Sequence, residues 1–356
     1  MTSRRRLPLA IPLIILVLAR CSHGDAYAPE TFPADTTFGG GSRLTLNPNV
    51  DRDPTWLPDG SGILYSADLV VRGDSDRCLV TLPPSGGRII RTVCNDLWTA
   101  GDSVNTLDDA ALSAGGLMAL VRTSRPVGGR FVRYADLAAG TPGDPAQARA
   151  LMKLPYSAAG LVHNSVSQIR WLAPDTLIYR GDYAALTCLT ATAPCPQAFV
   201  VSGYDIEIHS ASDSGPPTVV PGTDLASSVA LDPGGDAFFY TLQADNRIYR
   251  RVLSTGATTV VYSFPAGTIV RDVHAVGSLL AAITGGQVVI LAPPVTPDGT
   301  PPLQYDPVGG DITVLNLATG TPLAVIAGQF RRPALSPDGR HIVAQSAGDL
   351  YLFNVP

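Results

Sequence analysis

Apolar positions along the chain fall in short runs of two-residue alternation separated by turn residues, a pattern of strands rather than helices. DRDPTWLPDGSGILYSAD at 51–68 reads as a strand from Pro54 to Leu57, a tight turn at Pro58-Asp59-Gly60, and a strand from Ile63 to Ser66. The same form recurs in IRWLAPDTLIYRGD at 169–182, SSVALDPGGDAFFYTL at 227–242 and RRPALSPDGRHIVAQSAGD at 331–349. Weaker copies are AALSAGGLMALVRTS at 110–124 and VHAVGSLLAAITGG at 273–286. Further alternating runs and a Gly-bearing turn follow each copy, as in NRIYRRVLSTGATTVVYSF at 246–264 and GGDITVLNLATGTPLAVIAG at 309–328. The unit is therefore about four strands, and six units share residues 43–356 at about 52 residues each. Small propeller blades usually take roughly 40–45 residues. Insertions near Cys188 and at 292–308 absorb the excess.

The ends of the repeat predict how it closes. The last unit supplies strands at 333–336, 341–346 and Leu350 to Val355 but lacks a fourth, while GSRLTLNPN before the first unit is a spare strand. A ring closed by that N-terminal strand leaves no open sheet edge. The expected fold is an all-β, six-bladed β-propeller. Gln287 to Leu291 reads as a third strand or as part of an insertion, so five or seven blades are the alternatives.

Composition supports this reading. Charged residues make up 15% of the chain, Gly and Pro number 35 and 31, and Lys153 is the single Lys. Charge-rich helical repeats and coiled coils are excluded on that basis. Arg4, Arg5 and Arg6 precede an apolar run from Leu7 to Ala19, the pattern of an export leader. Ala26-Tyr27-Ala28 suits ordinary cleavage, giving a leader at 1–28, a linker at 29–42 and the propeller at 43–356. Leu18-Ala19-Arg20-Cys21 resembles a lipoprotein box, with Arg20 where a small residue is expected, and predicts instead a cut before a lipidated Cys21. A chain starting at Cys21 loses four Arg, and its net charge falls from −5 to −9. That balance argues against nucleic acid and anionic membrane surfaces as partners, leaving a lipid anchor as the only membrane link.

Four further cysteines form two local pairs. Cys78 and Cys94 flank a turn centred on Gly86, so an antiparallel hairpin sets them face to face at disulfide spacing. Cys188 and Cys195 would staple the excursion CLTATAPC. Neither spacing matches a zinc site. Disulfides point to an extracytoplasmic compartment: periplasmic, outer-membrane-anchored or secreted.

RLTLNPNVDRDPTWLPDGSGILYS resembles the TolB-like propeller repeat, also called the WD-repeat-like propeller of bacterial envelope proteins. Arg43-Leu44-Thr45, Pro54, Trp56 and Pro58-Asp59-Gly60 match that repeat, with Leu57 in place of Ser. In the last unit Pro333, Ser336 and Pro337-Asp338-Gly339 match, with Leu335 in place of Trp. The resemblance implies the fold, and it implies function poorly, because the family holds binding scaffolds, ligand-binding modules and a few enzymes. It does not extend to TolB itself, whose propeller follows an α/β domain; some 14 residues separate Ala28 from the repeat here.

Asp59, Asp175 and Asp338 are expected to brace their turns, and Trp56 and Trp171 to pack between blades. Connections leading into the inner strands carry Asp51 and Asp53, Asp108 and Asp109, His163 and Asn164, Asp224, Arg271 and Asp272, then Arg331 and Arg332. These are expected to ring one mouth of the central channel, acidic on blades one, two and four, basic on blades five and six. Such a rim suits a cation, a peptide terminus or a charged loop of a partner. No nucleophile elbow, H-E-x-x-H, phosphate-binding loop or dinucleotide fingerprint occurs, so neither catalytic residues nor cofactors are assigned. The remaining His residues, His163, His209, His274 and His341, fall at unlike positions of their units and assign no shared metal. Glu207 is one of very few Glu. The reading favoured is a non-catalytic exported scaffold binding an envelope protein or peptide at the channel mouth. The alternative is a polysaccharide lyase or hydrolase, or a glycan-binding module, using the same mouth.

Overall fold

The computed structural model describes residues 40–46, 50–71, 74–94, 103–126, 134–144, 147–158, 161–188, 198–213, 215–243, 245–285 and 309–355. The expected leader, most of the linker, Cys21 and Cys195 lie outside them. A short strand β1 (Ser42–Arg43) comes first. The first antiparallel meander is β2 (Asp51–Trp56), β3 (Ile63–Val71), β4 (Asp74–Leu82) and β5 (Arg91–Val93). The second is β6 (Ser103–Leu112), β7 (Met118–Pro126), β8 (Tyr134–Gly140) and β9 (Arg149–Lys153). The third adds a short lead-in, β10 (Tyr156–Ala158), to β11 (Leu161–Ala173), β12 (Thr176–Cys188), β13 (Ala198–Ser210) and β14 (Thr218–Val219). The fourth is β15 (Ala226–Leu231), β16 (Ala237–Leu242), β17 (Arg247–Val252) and β18 (Thr258–Ser263). The fifth is β19 (Val270–Val276), β20 (Leu279–Thr284), β21 (Gly310–Asn316) and the first part of β22 (Thr321–Leu335). The rest of β22 starts a sixth group with β23 (His341–Ser346) and β24 (Asp349–Asn354). Its fourth strand is β1, which pairs Ser42 with Leu352 and Arg43 with Tyr351.

Burial explains why the strands read as nearly continuous apolar runs. Successive side chains of a strand point to opposite faces of its sheet, and here both faces are covered. Met118 and Leu120 pack with Leu64 and Leu79 of the first meander, whereas Ala119 and Val121 pack with Val166 and Tyr179 of the third. Among the described residues six such clusters occur, each straddling two consecutive meanders. One of them joins Ala334, Val343 and Leu350 of the last group to Trp56 and Tyr65 of the first. The sheets therefore stack around a closed ring. The chain is an all-β propeller, and the expected closing strand is in place.

Repeat residues act alike in different units. Trp56 Nε1 donates to Ala334 O at 2.9 Å and Trp171 Nε1 to Ala111 O at 3.0 Å, each tying an inner strand to that of the preceding meander. The turns behave as their chemistry predicts. Asp59 Oδ1 accepts from the Ser61 amide at 3.0 Å and Asp338 Oδ1 from the Arg340 amide at 3.1 Å. Gly60 and Gly339 supply the left-handed conformation, each at φ 72°. Cys78 and Cys94 are disulfide-bonded with Cα atoms 4.4 Å apart. Their strands carry the register deduced from the turn, with Leu79 opposite Val93.

Candidate functional site

Every inner strand carries a break in register. The shifts fall between Arg52 and Thr55, Asp108 and Ala111, Ser167 and Arg170, Ala226 and Ser228, Arg271 and His274, and Arg331 and Ala334. At five of these bulges a non-Gly residue adopts the left-handed region: Asp53 at φ 49°, Asp109 at 49°, Gln168 at 54°, Asp272 at 49° and Arg332 at 48°. Non-Gly residues rarely take this conformation, and bulges re-aim side chains. These five, with Arg170, line a space of about 20 Å³ in the channel. That is room for roughly one water.

Arg332 is the hub. Its guanidinium lies 3.1 Å from Asp53 Oδ1 and 4.0 Å from both Asp109 Oδ1 and Asp272 Oδ1. Gln168 ties the ring together: its amide donates to Asp109 at 2.9 Å, its Nε2 to Asp272 at 3.2 Å, and its Oε1 accepts from the Val229 amide at 2.9 Å. Burial and the neighbouring Asp109 push Asp53 up to about 6, against the pull of Arg332. Burial raises Asp109 as well. Burial opposes the charge on Arg332, but Asp53, Asp109 and Asp272 together hold its pKa above the usual arginine value. Burial and Arg332 lower Arg170 to about 10, and burial with Arg170 drives His274 down to about 3. His274 is thus neutral at physiological pH, and its Nδ1 accepts from the Leu335 amide at 3.1 Å.

The expected rim is sorted differently in the structure. Asp53, Asp109, Asp272 and Arg332 meet in the channel. Asp108 instead pairs with Arg77 at 2.8 Å. Asp51 and Arg271 are buried, Arg331 is half-buried, and Asn164 and Asp224 are exposed. The signs around the ring also change: acids come from the first, second and fifth meanders, and the basic groups from the third and sixth. Gln168 and Arg170 had been passed over. Gln168 precedes Trp171 by three residues, as Asp53 precedes Trp56, so strict repeat alignment would have found it.

Asp224 belongs to a separate groove of about 480 Å³, lined by Leu225, Gln243, Asp245, Arg247 and Thr268 among others. These residues come from the connections that enter β15 and β19 and from the turn between β16 and β17. The groove therefore opens on the same side of the ring as the starts of the inner strands. Leu225 is an exposed apolar residue there, and Arg247 is paired with Asp245 at 2.8 Å.

His163 is the largest correction: it does not line the channel. Strand β11 starts well ahead of its channel residue Gln168, and this early part pairs with β10 and with the far part of β12. There His163 is fully buried, with Nε2 3.0 Å from Asp205 Oδ2 and 3.3 Å from Glu207 Oε1. The Tyr156 ring stacks on the imidazole at 4.9 Å, and its hydroxyl donates to Glu207 Oε2. Tyr183 meets the imidazole edge-on at 5.5 Å. Burial pushes Glu207 up to about 7, with the Tyr156 hydrogen bond and His163 opposing. Burial disfavours the His163 cation, but the two carboxylates outweigh it and raise its pKa. One potential ligand atom from each of His163, Asp205 and Glu207 lies within 4.8 Å of the others. The sequence signal for this set was the D-x-E alternation at 205 and 207, which sends both carboxylates to one face of a strand.

No protein-family model matches the chain, and no curated protein sequence does. Among solved structures the chain is similar to a gluconolactonase of Xanthomonas campestris, at 15% identity and a TM-score of 0.53, covering 91% of this chain and 97% of that one. It is similar also to regucalcin, a calcium-binding protein of Agrobacterium tumefaciens, at 13% identity and a TM-score of 0.52, covering 88% and 93%. A putative TolB of Agrobacterium tumefaciens follows at 14% identity and a TM-score of 0.47, covering 88% and 93%. The first two likenesses support the propeller class and define nothing finer.

Proposed function

We propose that this is an exported, TolB-like propeller that binds a protein or peptide segment on the face bearing the channel mouth. The carrying observation is that the channel charges are spent on one another while the groove beside Asp224 stays open. Arg332 and Arg170 face Asp53, Asp109 and Asp272 across a space for about one water, which leaves no substrate-sized cleft among these described residues of the channel. The groove offers an exposed leucine, an exposed carboxylate at Asp224 and polar side chains, a mixture suited to an extended segment with a basic group. The Cys78–Cys94 disulfide supports an oxidising, extracytoplasmic compartment.

The test is affinity capture of the tagged mature protein from its own cell envelope, beside an Asp224→Lys, Leu225→Ala variant. A partner retained by the unsubstituted protein, lost by the variant, and bound by the purified protein with the same difference supports the reading. Equal capture by both proteins, or turnover of a polysaccharide by the purified chain, would sink it.

A further inference from the structure

We propose that His163, Asp205 and Glu207 bind one divalent transition-metal ion of zinc's class inside the third meander. The argument starts from donors and acceptors. His163 Nε2 carries at most one proton, yet Asp205 Oδ1 and Oδ2 approach it at 3.1 and 3.0 Å and Glu207 Oε1 at 3.3 Å. Glu207 Oε1 is fully buried, points at this nitrogen and makes no hydrogen bond of good geometry; the buried Tyr179 hydroxyl, its other polar neighbour, is likewise left without one. A buried carboxylate oxygen left in that state is costly. A cation shared by the three side chains relieves it.

Spacing and donor type narrow the ion. Zinc bonds nitrogen and carboxylate oxygen at about 2.0–2.2 Å in tetrahedral geometry, which puts neighbouring donors about 3.3 Å apart. The two approaches to His163 Nε2, at 3.0 and 3.3 Å, match that requirement, and the two carboxylates lie within 4.8 Å of each other. An imidazole beside two carboxylates suits zinc, or manganese less well, and disfavours calcium and magnesium, which take all-oxygen shells. With a neutral imidazole, two carboxylates and a divalent ion, the buried charges cancel.

The surroundings hold the ligands in place. Tyr156 stacks on the imidazole and hydrogen-bonds the second oxygen of Glu207, so one side chain orients two ligands. A Cβ on Gly181 would come within 2.8 Å of the Tyr156 hydroxyl and 2.9 Å of both Glu207 and His163, so only glycine lets the three groups converge. The channel acids do not qualify as a competing site, because the Arg332 guanidinium already takes the cation's place.

The experiment uses the full mature protein, stripped with a chelator and equilibrated separately with zinc, manganese and calcium. Bound metal is measured by elemental analysis and thermal unfolding is followed. A single zinc per chain and a melting temperature that rises with zinc concentration are expected, with no comparable effect of calcium. Asp205→Asn and Glu207→Gln should each weaken zinc at least about 100-fold, and Tyr156→Phe roughly 10–100-fold, the range for residues that orient ligands. Asp53→Asn in the channel should leave zinc binding unchanged. Should the ligand variants fail to fold, X-ray absorption of the zinc-loaded unsubstituted protein decides, through a four-coordinate shell with one imidazole. No stoichiometric zinc, or zinc that persists in folded ligand variants, overturns the proposal.

Discussion

In the channel, three carboxylates from three meanders face two guanidinium groups from two others; in the third meander, two carboxylates face a single imidazole. The channel cluster is partly exposed and the third-meander cluster fully buried, and their protonation needs differ as well. A guanidinium keeps its proton at any ordinary pH, so Arg332 anchors the channel network as a fixed charge. An imidazole can give its proton up, and the Glu207 carboxyl, pushed to about 7, is only about half ionised at neutral pH. The channel cluster thus behaves as a structural clasp with its cation built in. The cluster in the third meander has a cation only while His163 keeps its proton. The lesson is that acidic residues collected on one axis of a fold are not evidence of a binding site until the bases supplied by the other repeats have been counted.

Removing the clasp should have the largest effect. Arg332→Met leaves Asp53, Asp109 and Asp272 facing one another with Arg170 as the remaining guanidinium lining that space, and stripping one partner from a buried charge network typically costs about 3–5 kcal/mol. Urea unfolding at pH 7 should show that loss, and the loss should shrink at pH 4, where the Asp53 carboxyl, raised to about 6, holds its proton. A cost below about 1 kcal/mol at pH 7 would mean the network carries no structural load. The opposite cluster gives the contrasting result. With chelator present, Glu207→Gln should change stability by less than about 1 kcal/mol, because a buried carboxyl that burial already drives half-way to its neutral form loses little on becoming an amide. At a zinc concentration about 100 times its dissociation constant, the unsubstituted protein should gain roughly 2.7 kcal/mol that the variant lacks. Equal responses to zinc in the two proteins would erase the distinction between the clusters.

The two regions were also unequally legible in the sequence. Asp53, Asp109, Asp272 and Arg332 could be collected at one mouth because the repeat fixes where each inner strand begins, and the Pro-Asp-Gly turns mark that position. Which of two adjacent charges enters the channel could not be read, since Asp108 and Asp109 differ only by a bulge that turns one inward and leaves the other with Arg77. His163 was misplaced for a similar reason. It sits before an inner strand like the other rim residues, but β11 continues outward past the repeat, and pairing with β10 and β12 seals the imidazole in. Asp205 and Glu207 lie about forty residues away and gave only their alternation. The Cys78–Cys94 pair, by contrast, needed only the turn between them.

Gly181→Ala tests the packing of the third-meander cluster without changing its charge. The added methyl group would meet the Tyr156 hydroxyl, Glu207 and His163 at 2.8–2.9 Å. Overpacking of this kind costs about 1–3 kcal/mol. Chemical denaturation should register about 2 kcal/mol, and zinc affinity should fall with it. An Ala variant as stable as the unsubstituted protein would show that the three groups can part without consequence and are not held together by packing.

The smallest effect expected is the most specific to the channel. Asp53 has its carboxyl raised from 3.8 to about 6 in the folded protein. Between those values the unfolded chain has released a proton that the folded one still holds, so folding stability falls as pH rises through that window and levels off above about 6. The full displacement would carry at most roughly 3 kcal/mol. The neighbouring Asp109 shares the proton affinity of the site, so about 1 kcal/mol attributable to Asp53 is the reasonable expectation. Asp53→Asn keeps the side-chain volume and removes the titration. Its stability relative to the unsubstituted protein should therefore rise by about 1 kcal/mol between pH 4 and pH 7, measured by paired denaturant titrations. A relative stability that falls over the same interval would mean that ionised Asp53 is held by Arg332 more strongly than burial opposes it, and the channel would then be a set of independent ion pairs rather than one shared clasp.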